Sequence, residues 1–210
     1  MRQIIKNKEP NELALYKRLK DAIYDGPNFT EVKDKIRQSL LLEQGFLCAY
    51  CMERIDLNSM KIEHWACQHS NQEMQLEYTN LLACCKGHEG SPPKEQTCDT
   101  RKGGNALKLS PANANHRINE VINYDHQGQI TSIDDEFNVQ INQVLNLNKH
   151  RLKSNRLTAL IMIQRELHQK IGERKRAEIQ RLIDKYNQRN QHGKLPEYYG
   201  IIIHYLQRKL

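Results

Sequence analysis

Six cysteines crowd into residues 48–98 of this 210-residue chain, and two of them form the knuckle Cys48-Ala49-Tyr50-Cys51. Two thiolates at C-x-x-C spacing reach one ion from a tight turn whose amides point at the sulfurs. Thioredoxin-like redox sites share the spacing, but they sit in alternating strand–helix sequence, which this stretch lacks. Cysteines continue to position 98, so the arrangement points to a tetrahedral structural zinc. Its other two ligands come from Cys67, Cys84, Cys85, His88 and Cys98. Cys85 with Cys98 is the first choice, because Cys98 leads straight into a charged motif. The alternatives are His88, which has compact C-x-x-H spacing from Cys85, and Cys84. Thiols left over are ordinary small buried side chains.

Downstream of the knuckle, Lys61-Ile62-Glu63-His64-Trp65 sets a carboxylate beside an imidazole. Successive strand residues point to opposite sides, so one can bind a metal while the other faces a water. A lone Glu–His pair is usually only a surface pair. Here it has company: Asn80 lies 16 residues on, and Cys98-Asp99-Thr100-Arg101-Lys102-Gly103 closes the stretch.

These groups need elements to hold them. Leu13, Tyr16, Leu19 and Ile23 recur at helical spacing, and Gly26-Pro27 ends that segment. Asn28 with Glu31 resembles a capping box opening a second helix with the stripe Val32, Ile36 and Leu40, which Gly45 ends. Short strands are expected around Cys48 and Lys61–Trp65, and a loop over Lys86–Thr97, which holds two Gly and two Pro. Residues 110–143 are irregular, with a turn at Asp125–Gly128 between strand-like pieces. Helical patterning resumes with Leu160, Ile163, Leu167 and Ile171, and again with Ile179, Leu182, Ile183 and Tyr186. Gln188–Lys194 reads as a polar linker before a short helix from Pro196.

Charge narrows the class. The chain carries 32 Lys and Arg against 25 Asp and Glu, a net +7. Residues 149–194 hold thirteen of the cations and four of the acids, so they account for more than the whole excess. An isolated basic run is often a solvated helix face; beside a metal centre, a phosphate-facing surface is the better reading. With 38% apolar residues the chain can bury a core. No run approaches the roughly 18–20 apolar residues that span a bilayer. The start, Met1–Lys8, lacks the apolar stretch of an export signal, so a cytoplasmic protein with no membrane partner is expected.

In their order, the knuckle, Glu63-His64, Asn80 and the Cys98–Gly103 motif resemble the HNH endonuclease family. The resemblance implies an α+β, mainly helical chain whose centre, residues 47–109, is a ββα-metal core with a zinc knuckle. A helical segment (1–46) and a mostly helical basic region (110–210) would flank it. It further implies hydrolysis of phosphodiester bonds. His64 carries over as general base and Asn80 as the residue that steadies the two arms of the motif. Glu63 and Asp99 carry over as ligands of a catalytic Mg²⁺ or Mn²⁺, and Cys48, Cys51, Cys85 and Cys98 as zinc ligands. Two departures stand out. Asp99 replaces the more usual Asn or His, although oxygen suits a hard ion, and a twelve-residue loop stretches the second cysteine pair.

Shorter matches look like the HNH nucleases of Septu anti-phage systems: Glu9-Pro10, Leu41-Leu42-Glu43-Gln44, and Leu145-Asn146-Leu147-Asn148 followed by Leu152–Arg156. That likeness covers roughly residues 1–160. It implies a defence effector that works with an ABC/SMC-type ATPase, and in some systems with a retron reverse transcriptase and its DNA–RNA product. The nucleic-acid partner is read as DNA ahead of tRNA or other RNA. Arg101, Lys102, Arg174, Lys175 and Arg176 are the candidates for backbone or partner contact. The rival is a zinc-ribbon module that binds nucleic acid or a partner without catalysis. It would need the knuckle and the basic surface but not Glu63, His64 and Asp99.

Overall fold

A computed structural model describes residues 1–169, 172 and 174–210. Helix α2 (Phe29–Glu43) buries Val32, Ile36 and Leu40, as the spacing requires. It opens on packing rather than on a capping box. Asn28 is left-handed at φ 61° and its side chain caps nothing, while the Phe29 ring packs on Tyr16 and Tyr24 at 5.1 and 4.8 Å. Helix α1 (Asn11–Tyr16) is shorter than the periodicity suggests. Leu19 and Ile23 meet no core and stay half exposed, and the Tyr16 hydroxyl donates to the Ile23 carbonyl at 2.9 Å, folding the chain back on itself.

Strands β1 (Met60–His64) and β2 (Leu81–Cys85) form an antiparallel hairpin with Glu63 opposite Leu82 and His64 opposite Leu81. Every residue of β2 is buried, so it lacks the alternation by which a half-exposed strand is read. The strand expected near Cys48 reduces to one bridge, Leu47 with Arg54. Helix α3 (Cys98–Lys102) packs on β2. A second hairpin, β3 (Ile122–Tyr124) with β4 (Ile130–Ser132), brackets the Asp125–Gly128 turn and follows the short α4 (Ile118–Val121).

Helix α5 (Asp135–Gln143) has no counterpart in the sequence reading. Asp134 caps it by accepting the Phe137 amide at 2.9 Å, and Phe137 and Ile141 fill the core. Helices α6 (His150–His168), α7 (Arg176–Asn187) and α8 (Tyr199–Gln207) complete the chain. Ile171 of the expected α6 stripe lies outside the described residues, as do Lys170 and Glu173 of the basic segment. The result is mixed helix and sheet, with two small sheets sharing one buried cluster with the helices. No helix among the described residues is long and apolar enough to cross a membrane.

Candidate active site and metal centre

The knuckle is a turn in which the Cys48 amide donates to the Glu53 carbonyl and the Met52 amide to the Cys48 carbonyl. The Ala49 amide fastens it to the Ala83 carbonyl of β2 at 2.9 Å. Cys85 ends β2 and Cys98 begins α3, and the loop between them is pinched where the Thr97 amide donates to the Gly87 carbonyl at 2.9 Å. That pinch is how cysteines separated by a long loop come together. The Sγ atoms of Cys48, Cys51, Cys85 and Cys98 all lie within 4.8 Å of one another and are buried.

Cys51 and Cys85 Sγ are 3.8 Å apart, far longer than a disulfide of about 2.05 Å. It matches the edge, about 3.8 Å, of a tetrahedron with metal–sulfur bonds of about 2.3 Å. Four buried thiols so placed could hold a metal such as zinc. His88 is exposed, and neither it nor Cys67 nor Cys84 joins the cluster.

On the other side of the knuckle lies an acidic pair. Glu63, on β1, is 3% exposed; its Oε1 accepts the Tyr50 hydroxyl at 2.8 Å and faces Lys102 Nζ at 2.9 Å. Burial raises the Glu63 carboxyl well above the carboxylate range, the adjoining Asp99 carboxyl adds to the rise, and Lys102 opposes it. Asp99 comes from the first turn of α3, and Lys61 Nζ stands 3.4 Å from its Oδ2. Two carboxyl groups in contact inside the protein repel each other when both are ionised, and a shared proton or a bound hard cation relieves that repulsion. The donor set fits a divalent ion that prefers oxygen.

His64 follows Glu63 on β1 and is 9% exposed. Its Nε2 lies 2.9 Å from the Gln75 carbonyl, and its ring meets Tyr24 edge-on at 4.5 Å. A carbonyl only accepts, so Nε2 carries the hydrogen and Nδ1 the lone pair. Burial lowers the imidazole below its ordinary range, which keeps it neutral and able to take a proton. Asn80, immediately before β2, is buried and fully engaged. Its Oδ1 accepts the Ala66 amide at 2.7 Å, and its Nδ2 donates to the Ala66 and Met74 carbonyls at 3.1 Å. It therefore fixes the loop whose next residue, Gln75, holds His64.

The basic candidates divide. Lys102 is fully buried, so it is part of the acidic site and cannot touch a nucleic-acid backbone. Its ammonium bridges Glu63 and the His64 carbonyl. Arg101 spends its guanidinium on the Pro93 and Gln143 carbonyls, and Arg174 on the Glu166 and Leu167 carbonyls that end α6. Lys175 and Arg176 are exposed. Arg156, counted with the basic surface, is buried against the Gly128 and Leu147 carbonyls. Sequence reasoning missed Tyr50 and Gln75. A hydroxyl between two metal-spaced cysteines was a visible signal for the first; a backbone carbonyl leaves none for the second.

No known family profile matches the chain. A curated protein of Vibrio cholerae serotype O1 biovar El Tor, named "Retron Vc95 putative HNH endonuclease", is 28% identical over 113 residues. The match covers 50% of this chain and 54% of that protein, so the chain spans about half the length of the relative it matches. This likeness supports a distant relationship to HNH endonucleases.

Proposed function

We propose that this chain is a metal-dependent HNH endonuclease in which β1, β2 and α3 form the ββα-metal core. The observation that carries the reading is the Glu63–Asp99 pair beside an imidazole whose tautomer a backbone carbonyl fixes. Glu63 and Asp99 would hold one Mg²⁺ or Mn²⁺, and Cys48, Cys51, Cys85 and Cys98 a structural zinc. The divalent ion, when bound, supplies stabilisation of charge on the phosphoryl and leaving oxygens. His64 takes the proton of the attacking water on Nδ1, Asn80 keeps the Gln75 loop in place, and Lys102 balances part of the acidic charge. Exposed Lys175 and Arg176 are the cations of the candidate set free to track a phosphate backbone.

The Septu-like sequence matches and the retron named in the relative support a role as the effector of an anti-phage system. DNA is the first-choice substrate and tRNA the second. An ABC/SMC-type ATPase is the expected partner, with a retron reverse transcriptase and its DNA–RNA product in some systems.

The test is cleavage of plasmid and of total tRNA with Mg²⁺ or Mn²⁺ by wild type and His64→Ala, alone and with such an ATPase. A general base contributes about 10²–10⁴ in rate, so the variant should retain only traces of cutting. Undiminished cutting by His64→Ala would refute the assignment. No cutting by any combination, with the thiolate centre metal-loaded, would favour the zinc-ribbon binding module.

A further inference from the structure

Tyr50 lies between the first two cysteines of the thiolate centre, yet its hydroxyl serves the other site. The side chain is fully buried, and its hydroxyl donates to Glu63 Oε1 at 2.8 Å. Lys102 Nζ approaches the same oxygen at 2.9 Å and donates to the His64 carbonyl at 3.1 Å. One carboxylate oxygen is thus engaged twice, which leaves Oε2 as the oxygen to offer a cation. The backbone around it is held by the bond from Ala49 to Ala83 of β2 and by the turn's own bonds from Cys48 to Glu53 and from Met52 to Cys48.

We propose that Tyr50 is a positioning residue that couples the two centres: the knuckle, closed on its metal, holds Glu63 so that Oε2 faces the catalytic ion. The proposal rests on the reading of Glu63 as a ligand of that ion. Loss of a hydrogen bond that orients a metal-ligating group typically weakens metal affinity by about 10–100-fold.

The experiment is calorimetric titration of Mn²⁺ into the zinc-loaded full chain, as wild type, Tyr50→Phe and Glu63→Gln. Tyr50→Phe removes one oxygen and keeps the buried ring. It should bind Mn²⁺ about 10–100-fold more weakly with zinc content unchanged, and Glu63→Gln should bind it more weakly still. Wild-type Mn²⁺ affinity in Tyr50→Phe, with affinity lost in Glu63→Gln, would overturn the coupling and leave the ligand standing. Wild-type affinity in Glu63→Gln would overturn the ligand, and the coupling with it. Should Tyr50→Phe fail to retain zinc, ¹³Cζ-tyrosine NMR of the wild type decides. A shift of the resonance assigned to Tyr50 as Mg²⁺ is added supports the coupling, and a Tyr50 resonance that does not move refutes it.

Discussion

Gly87→Ala should open the thiolate centre from a position that is not a ligand. Gly87 sits two residues after Cys85, has a left-handed φ of +51°, and its carbonyl accepts the amide of Thr97, the neighbour of Cys98. A Cβ there would lie 2.0 Å from the Thr97 carbonyl oxygen, where real contacts essentially never fall below 3.0 Å. The two backbone segments must part by about 1 Å, the difference between those values, and no rotamer change relieves a backbone clash. A metal site tolerates ligand displacements of only about 0.2 Å. Left-handed strain for a residue with a Cβ costs about 1–2 kcal/mol, and losing the Gly87–Thr97 bond costs about 1 kcal/mol more.

Closing the loop and binding the metal are one event, so these costs fall on metal affinity. About 2–3 kcal/mol corresponds to zinc held about 30–150-fold more weakly. The assay is competition with a chromophoric zinc chelator. Gly90→Ala is the control, because Gly90 is also left-handed at φ +83° but has nothing within 4 Å of the added carbon. It carries the left-handed strain alone, about 1–2 kcal/mol, so it should weaken zinc by no more than about 5–30-fold, less than Gly87→Ala. Equal zinc affinity in Gly87→Ala and wild type would refute the account of how the loop brings Cys85 and Cys98 together.

Asn80→Ala leaves the Ala66 amide and carbonyl without their partner, while the Met74 carbonyl keeps the Glu77 amide. At about 1–3 kcal/mol for a buried group left unpaired, urea unfolding should show a loss of a few kcal/mol, with cleavage reduced as Gln75 loosens its hold on His64. Wild-type stability would count against the role given to Asn80. The acid limb of kcat/KM should lie below the ordinary imidazole value of about 6.5, because burial lowers the His64 pKa. The same shift makes the unfolded chain bind more protons than the folded one in that window, so stability rises with pH there and His64→Ala should flatten the rise. Parallel rate and unfolding profiles from pH 5 to 8 check both signs.

The four cysteines that gather were legible as first-choice partners in the sequence, because that reading depends on residue type and short spacing. The spacing set Cys48 and Cys51 in one turn, Glu63 and His64 had to part on a strand, and the stripes of α2, α6 and α7 followed from periodicity. Pairing across long separations was not legible. Cys98 rather than His88 joins the cluster because the Gly87–Thr97 pinch and the bond from the Cys98 amide to the Leu145 carbonyl place it there. Lys102 and Arg156 look like surface cations in a string of letters. Packing buries both, because carbonyls and a carboxylate far along the chain converge to satisfy them. Local spacing reports which side of an element a residue occupies; what waits on that side is decided only when the elements pack.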